Sequence, residues 1–527
     1  MLNMGVYAIL FVLYNLLAFN SVFFEQVYQA GNSVNFTIGV FFCVWALESI
    51  CCLILFWRSS VKILSYIFLL VNAAVFYFIN TYHIVVNSEM LQNVLQTDWI
   101  ETLDLLNGTL LLYILGLGVV PCLFVRYLNI EPLSRKKRLG FVIFLFGVVL
   151  TLIIPNARES IAFMRNHKPV KYVLVPVNYI GAVISLSKQY YRSRGSFVEI
   201  GRESKFLPYW NNDKKNLILF VVGETARAAN FSLGGYERQT NEPLNSYLED
   251  IVYFKNVSSC GTSTAVSVPC MFSDKTRKTY ENGSALHREN VLDIMQKNGY
   301  NVVWLENNSD CKNICTRVKS MNPCNEKEYK NECLDEVLLP EVTNILSSKA
   351  QNSIIVLHTI GSHGPKYYKR FPADKVPFEP ICKTENIADC SQEELLNTYD
   401  NTIYYTSSFL AQLIEQLKVY KQQYNIILLY VSDHGESLGE NGIYLHSAPY
   451  IIAPKVQKHI PLLVWAQQET LQALGVDKNC LHRLVDNPLS HDNVFHTLLG
   501  LGGITSKEYD ADLDLSAKCR RIRPQNQ

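Results

Sequence analysis

The chain has 527 residues, 49% of them hydrophobic, with a formal net charge of +1. That balance supplies no general basic field for nucleic acid and no acidic tail, so a nucleic-acid partner is excluded on electrostatic grounds. The average hides a split, because residues 1–155 carry only 14 charged side chains and the rest of the chain carries 81, so two different solvents are implied.

In the first part, five apolar stretches approach the roughly 20 residues that cross a bilayer as helix, at about 5–24, 36–57, 61–80, 109–128 and 139–155. Arg58 and Lys62 lie between the second and third, and "RKKR" at 135–138 lies between the fourth and fifth. The positive-inside rule makes both loops cytoplasmic, which puts the N-terminus inside and everything after Pro155 outside. The first stretch does not read as a cleavable signal, since it lacks a basic leading region and further spans follow. Glu48, inside the second span, is costly to bury and is expected to find an interior hydrogen bond or to be neutral rather than catalytic. Between the third and fourth spans, "MLQNVLQTDWIE" spaces Asn93, Thr97 and Glu101 at i, i+4 and i+8, which aligns them on one helical face. The stretch 172–186 is too short to span and carries Pro176, so it reads as an interfacial or bridging helix. The expected domains are a five-span membrane part (1–155), a bridging region (156–215) and an extracytoplasmic catalytic domain (216–527).

The polar part reads as α/β. Short apolar runs, "LILFVV" (217–222), "VVWL" (302–305), "SIIVLH" (353–358) and "IILLYV" (426–431), alternate with helical patterns such as "YYTSSFLAQLIEQLK", which predicts a mainly parallel sheet. Polar clusters follow each run: Glu224 after the first, Asn308, Ser309 and Lys312 after the second, His363 after the third, Asp433 and His434 after the fourth. In open α/β sheets ligands sit beyond the carboxyl ends of strands, so the four clusters are expected to converge. An Asp-His pair closing a strand is by itself an ordinary hydrogen-bonded turn. Joined by Glu224 it becomes a ligand set that zinc accepts with a fourth position open.

Of 14 cysteines, Cys43, Cys51, Cys52 and Cys122 fall in the apolar part and ten in the polar part. Eight of the ten form close sequential couples, Cys260 with Cys270, Cys311 with Cys315, Cys324 with Cys333 and Cys382 with Cys390; elimination pairs Cys480 with Cys519. This fits disulfides in an oxidising compartment better than zinc knuckles, in agreement with an external polar domain. The first couple would staple "SSCGTSTAVSVPC", in which Thr262, Ser263, Thr264 and Ser267 are all candidate nucleophiles. A hydroxyl needs activation at neutral pH, which a metal provides, and a helix starting near Thr264 would add backbone N–H groups for phosphate oxygens.

The motifs "VVGETARAANFSLGGYERQTN", "SCGTSTAVSVPCMFS", "SHGPKYYKRFP" and "YVSDHGESLGENGIYLHSAPYIIAPKVQKHIP" closely resemble the phosphoethanolamine transferases that modify lipid A, a group that includes the mobile colistin-resistance enzymes, within the alkaline phosphatase superfamily. The resemblance covers nearly the whole chain. It implies an alkaline phosphatase/sulfatase-like α/β/α domain on a multi-pass membrane part, with Thr264 as nucleophile and Glu224, Asp433 and His434 as zinc ligands beside it. It further implies substrate-phosphate roles for Asn308, Ser309, Lys312, His363 and His446, and lipid-headgroup contacts for Asn93, Thr97 and Glu101. The Cys311–Cys315 couple places the chain nearer the chromosomally encoded, disulfide-rich members, and leaves the acceptor open between lipid A and core sugars.

The expected reaction moves phosphoethanolamine from phosphatidylethanolamine to Thr264, releasing diacylglycerol, and then to lipid A or another lipopolysaccharide acceptor. His363 or His446 protonates the departing oxygen, and polymyxin sensitivity falls. One tightly held zinc is expected, with a second during turnover left open. The expected setting is a monomer in the bacterial inner membrane, among membrane lipids, with the catalytic domain in the periplasm. The rival readings are a teichoic-acid-type glycerol-phosphate transferase and a non-catalytic metal-binding membrane receptor. A sulfatase is disfavoured by the lack of a Cys-x-Pro-x-Arg stretch.

Overall fold

The computed structural model describes residues 2–31, 33–97, 105–153, 166–192, 196–207, 214–326 and 333–520, with isolated positions between them. Two compact units emerge: 1–91 with 106–185, and 92–105 with 186–527. Among the described residues of the first unit, three helices are long and apolar enough to cross a membrane: Val34–Leu55, Val61–Tyr82 and Gly108–Tyr127. The first apolar stretch is not one straight span. It is a pair, Met4–Phe19 and Ser21–Ala30, bent by 73°. The bend falls at Asn20, whose side chain leaves the helical pattern to donate to the Val175 carbonyl at 2.9 Å and accept from the Val175 amide at 2.9 Å. The fifth stretch lies in Arg135–Ile153, whose first turn is "RKKR". Arg138 there donates to the carbonyls of Leu53 and Phe56, capping the end of Val34–Leu55 with a cation. Glu48 is buried, and its Oε1 has no hydrogen-bond partner among the described residues. The segment 172–186 contributes to a helix, Val177–Arg192.

The second unit is built on an eight-stranded sheet. We number its strands β1 (Lys215–Gly223), β2 (Ile251–Ser258), β3 (Asn301–Glu306), β4 (Lys319–Met321), β5 (Ser353–His358), β6 (Tyr424–Ser432), β7 (His459–Trp465) and β8 (Leu489–Ser490). Their order is β8-β2-β7-β6-β1-β5-β3-β4. Only β7 runs against its neighbours, β2 and β6; every other adjacent pair is parallel. Successive residues of a strand face opposite sides, and in β1 both sets, Ile218, Phe220, Val222 and Leu217, Leu219, Val221, are fully buried. A sheet covered on both faces needs continuous apolar runs, which is why "LILFVV" and "IILLYV" do not alternate with polar residues. On one face, Val494, Phe495, Leu498 and Leu499 of helix Asp492–Leu501 join Phe220, Trp304 and Val356 in the core.

Five disulfides staple this unit: Cys260–Cys270, Cys311–Cys315, Cys324–Cys333, Cys382–Cys390 and Cys480–Cys519. The last closes the longest loop, with a sequence separation of 39. In the chain-entropy picture such a closure contributes about 4 kcal/mol and the shorter ones about 3 kcal/mol or less. Replacing Cys480 and Cys519 together by Ser is therefore expected to lower the unfolding midpoint more than removing any other single pair. Peptide mapping without reduction is expected to find free thiols only at Cys43, Cys51, Cys52 and Cys122.

Candidate active site

Parallel register brings the polar clusters to one edge of the sheet. Gly223 of β1 pairs with Ser432 of β6, so the next residues, Glu224 and Asp433, leave the sheet side by side. On the other side of β1, Val222 pairs with His358 of β5, and His358 with Glu306 of β3, so Gly361–His363 and Asn308 emerge at the same level. The turn after β1 is tight. Thr225 holds φ +59°, a left-handed conformation that is costly for a β-branched residue. Its amide donates to Asp433 Oδ1 at 3.0 Å, its hydroxyl to Glu224 Oε1 at 2.5 Å, and its carbonyl accepts from the Tyr399 hydroxyl at 2.7 Å. Gly361, at φ +48°, approaches so closely that a Cβ there would stand 2.8 Å from the Glu224 carbonyl oxygen.

Glu224, Asp433 and His434 are buried, and each offers a ligand atom within 4.8 Å of the others. His434 Nδ1 faces the Gly435 carbonyl oxygen at 2.9 Å, and a carbonyl only accepts, so Nδ1 carries the proton. Its Nε2 then lies 3.4 Å from Glu224 Oε1 and 3.3 Å from Asp433 Oδ2. A lone pair facing two carboxylates in a buried place is repulsive unless a cation sits among them. Among the described residues Asp433 Oδ2 also has no hydrogen-bond partner, its contact to His434 being close in distance but poorly aligned. Burial first, and then the charge of Glu224, push the Asp433 carboxyl up to about 6. The two-carboxylate, one-imidazole donor set thus fits a divalent metal.

The loop that carries Thr264 reaches this place from β2. Helix Thr264–Met271 begins directly after Ser263, and the Cys260–Cys270 bridge ties its end to the loop before it. Thr264 Oγ1 lies 3.2 and 3.1 Å from the two Glu224 oxygens and 3.4 Å from His434 Nε2. The other hydroxyls are differently placed. Thr262 donates to the Ala448 carbonyl at 2.6 Å, Ser267 accepts from the Gly261 amide at 3.0 Å, and Ser263 is buried with no partner for its hydroxyl among the described residues. Of the four hydroxyls that the sequence leaves open, Thr264 is the one held against the carboxylates and the imidazole.

Around this centre stand further expected residues. Asn308 donates to Glu224 Oε2 at 3.0 Å and to the Thr359 carbonyl at 2.8 Å, and its Oδ1 accepts from the Ser309 amide at 2.6 Å. Lys312 is buried, and its ammonium donates to the Ser309 carbonyl, to Ser309 Oγ at 3.2 Å and to the Gln96 carbonyl at 3.1 Å. The His434 and His446 rings lie 4.5 Å apart and the His446 and His363 rings 5.9 Å apart, so three imidazoles line the site. In the segment that groups with this unit, Gln92 donates to the Ala265 carbonyl at 3.3 Å, next to Thr264 in the chain. Thr97 donates to the Asn93 carbonyl at 2.8 Å, but the helix Ser88–Gln96 ends before Thr97, and Glu101 lies outside the described residues.

A family model described as phosphoethanolamine transferase EptA/EptB matches residues 44–191, and a sulfatase model matches residues 216–504, which hold nearly the whole sheet. Phosphoethanolamine transferase EptA of Escherichia coli (strain K12) is 39% identical, over 99% of this chain and 98% of that one. The chain belongs to the phosphoethanolamine transferase family. Phosphatidylethanolamine transferase Mcr-1 of Escherichia coli is 35% identical over 92% of each chain. Among solved structures, the integral membrane lipooligosaccharide phosphoethanolamine transferase A from Neisseria meningitidis matches with a TM-score of 0.94 at 36% identity, covering 99% of this chain and 100% of that one.

Two buried residues of this phosphoethanolamine transferase family member escape a reading by strand ends. Glu436 accepts from the Tyr367 hydroxyl at 3.0 Å and faces His446 Nδ1 at 3.3 Å. Burial would lower the His446 pKa, but Glu436 overrules it and raises the imidazole to about 9. His491 accepts the Cys260 amide at Nδ1, 3.0 Å away, and donates from Nε2 to the Ser432 carbonyl at 2.9 Å. One imidazole therefore joins the loop that carries Thr264 to the strand end that carries Asp433. Glu436 lies in the quoted "SDHGES" and had a local signal; His491, in "LSHDN" at the far end of the chain, had none.

Proposed function

We propose that this chain transfers phosphoethanolamine from phosphatidylethanolamine to lipid A, or to a lipopolysaccharide core sugar, through a covalent ester on Thr264. The observation that carries the reading is the placement of Thr264 Oγ1 within 3.1–3.4 Å of Glu224 and His434. In the first half-reaction Thr264 Oγ1, having given its proton to solvent, forms a bond to phosphorus in line with the diacylglycerol oxygen. The bond to that oxygen breaks, and His446 supplies the proton it gains. In the second, an acceptor oxygen bonds to phosphorus and Thr264 Oγ1 departs and is reprotonated. A zinc ion held by Glu224, Asp433, His434 and Thr264 would favour ionisation of the threonine and draw charge from the phosphoryl oxygens. Asn308, Ser309, Lys312 and His363 orient the phosphate, and Asn93, Thr97 and Glu101 meet the lipid headgroup. The added ammonium offsets acceptor phosphate charge and lowers affinity for cationic peptides such as polymyxin.

Residues 1–155 form five spans of the inner membrane with a cytoplasmic N-terminus, 156–215 bridge, and 216–527 form a periplasmic catalytic domain, in a monomer. Anchoring to the bilayer raises the effective concentration of the lipid donor at the site. Mass spectrometry of lipid A and core oligosaccharide from cells expressing the chain tests the reading. An increment of one phosphoethanolamine is expected, absent with Thr264→Ala; an unmodified product, or glycerol phosphate on threonine, would contradict it.

The choice of His446 as acid makes a pH prediction. Its raised pKa keeps it protonated at neutral pH, and the proton is lost as pH rises through about 9. The transfer rate is expected to fall above that value. Glu436→Gln removes the largest of the charges that raise His446, and the falling limb should move down from about 9. An unmoved limb would assign the proton to another group.

A further inference from the structure

The loop after His446, "SAPYIIAP", is tied to the nucleophile loop, with the Ser447 amide on the Thr262 carbonyl at 2.7 Å and the Thr262 hydroxyl on the Ala448 carbonyl at 2.6 Å. Its tip is apolar and open: Ile451 is 93% exposed and Ile452 39%. At its base, two cations share one ring. The Arg277 guanidinium lies 3.3 Å from the Tyr450 ring centroid and the Lys458 ammonium 5.2 Å from it. Arg277 Nε donates to the Cys260 carbonyl at 3.0 Å, and Lys458 Nζ to the Tyr450 carbonyl at 3.1 Å. The acidic neighbour, Asp492, is engaged by the Arg277 backbone amide at 2.7 Å. Among the described residues neither cation makes an ion pair with a carboxylate. Burial first, and then the charge of Arg277, lower the Lys458 pKa. Two unneutralised cations held together next to a catalytic loop have an electrostatic deficit that an anion relieves, and a phosphate meets both with charge-assisted hydrogen bonds. The adjoining isoleucines, 93% and 39% exposed, gain by meeting hydrocarbon. A single ligand with both properties is a phosphorylated, acylated amphiphile.

We propose that Arg277, Lys458 and Tyr450, with the tip Ile451 and Ile452, form the surface on which the phosphate and acyl region of the acceptor lipid docks beside Thr264. The proposal rests on the transfer reaction above and assigns this surface to the second half-reaction. Arg277 supports the Cys260 carbonyl directly, so the cleaner probes are Lys458→Glu and Ile451→Asp in the full-length chain. Each variant is reconstituted in phosphatidylcholine vesicles containing phosphatidylethanolamine, with a bisphosphorylated lipid A titrated as acceptor.

Two quantities are read: the threonine adduct without acceptor, by intact mass, and product formation against acceptor concentration. Both variants are expected to form the adduct as the wild type does, while the acceptor concentration for half-maximal transfer rises at least about tenfold, ~1.4 kcal/mol. Adduct in the wild type with unchanged acceptor dependence in both variants overturns the proposal alone. Loss of the adduct in the variants overturns it too, by assigning the surface to the donor. Competition by added phosphatidylglycerol as strong as that of the acceptor itself overturns it in favour of bulk anionic lipid. A wild type that forms neither adduct nor product overturns the transferase reading, and this proposal with it.

Discussion

Thr264→Ala is expected to abolish transfer, by about four orders of magnitude or more, while leaving the fold and much of the metal affinity in place. The magnitude follows from the absence of a substitute nucleophile. Thr262 is committed to the Ala448 carbonyl and Ser267 to the Gly261 amide, so neither hydroxyl can turn to phosphorus without breaking the loop. The fold should persist because the side chain replaced is small and the helix it begins keeps its first backbone bonds, Val266 and Ser267 amides to the Ser263 carbonyl at 3.1 and 2.9 Å. The three candidate ligands, Glu224, Asp433 and His434, would remain for a metal. Thr264→Ser keeps the hydroxyl and is expected to recover part of the activity. Intact mass of protein incubated with phosphatidylethanolamine provides the check. An adduct in Thr264→Ala equal to that of the wild type would remove Thr264 from the mechanism and turn attention to Ser263, the remaining hydroxyl without a partner.

The second large effect is expected at Asp433. Asp433→Asn removes a buried carboxylate whose Oδ2 has no hydrogen-bond partner among the described residues and whose Oδ1 accepts from the Thr225 and His434 amides at 3.0 and 2.7 Å. If the stretch were only a turn, the Asn side-chain carbonyl would keep both of those bonds and the change would be nearly silent. As a metal ligand, Asp433 loses the charge that competes best for a divalent ion, and transfer should fall by about a thousandfold, the equivalent of several kcal/mol of lost charge stabilisation. His434→Ala should do the same by removing Nε2. Elemental analysis of purified protein is expected to give about one zinc in the wild type and clearly less in either variant. Full metal content and full activity in Asp433→Asn would return "SDHGES" to an ordinary turn.

Much of this site is written locally in the chain. Each of the runs "LILFVV", "IIVL" and "IILLYV" lacks the alternation with charged or amide side chains of a half-exposed strand because its strand is covered on both faces, and a polar residue soon after such a run has to stand at the sheet edge. That is why Glu224, His363, Asp433 and His434 can be picked out without coordinates. Cysteine couples four to ten residues apart are legible for a similar reason, since short loops leave few alternative partners.

What only the tertiary structure decided depends on partners far apart in the chain. That Thr264, among the four hydroxyls, stands against Glu224 and His434, 40 and 170 residues away, is information no local spacing carries. His491 is a plain helix-start histidine until the fold brings it to Cys260 and Ser432, 231 and 59 residues off. The bend at Asn20 comes from its bonds to Val175, 155 residues on, whereas hydropathy alone reads the stretch as one straight span. Periodicity and turn chemistry fix which residues reach the sheet edge. Register between strands and packing between loops fix which of them meet, because those depend on the whole set of long-range contacts forming together.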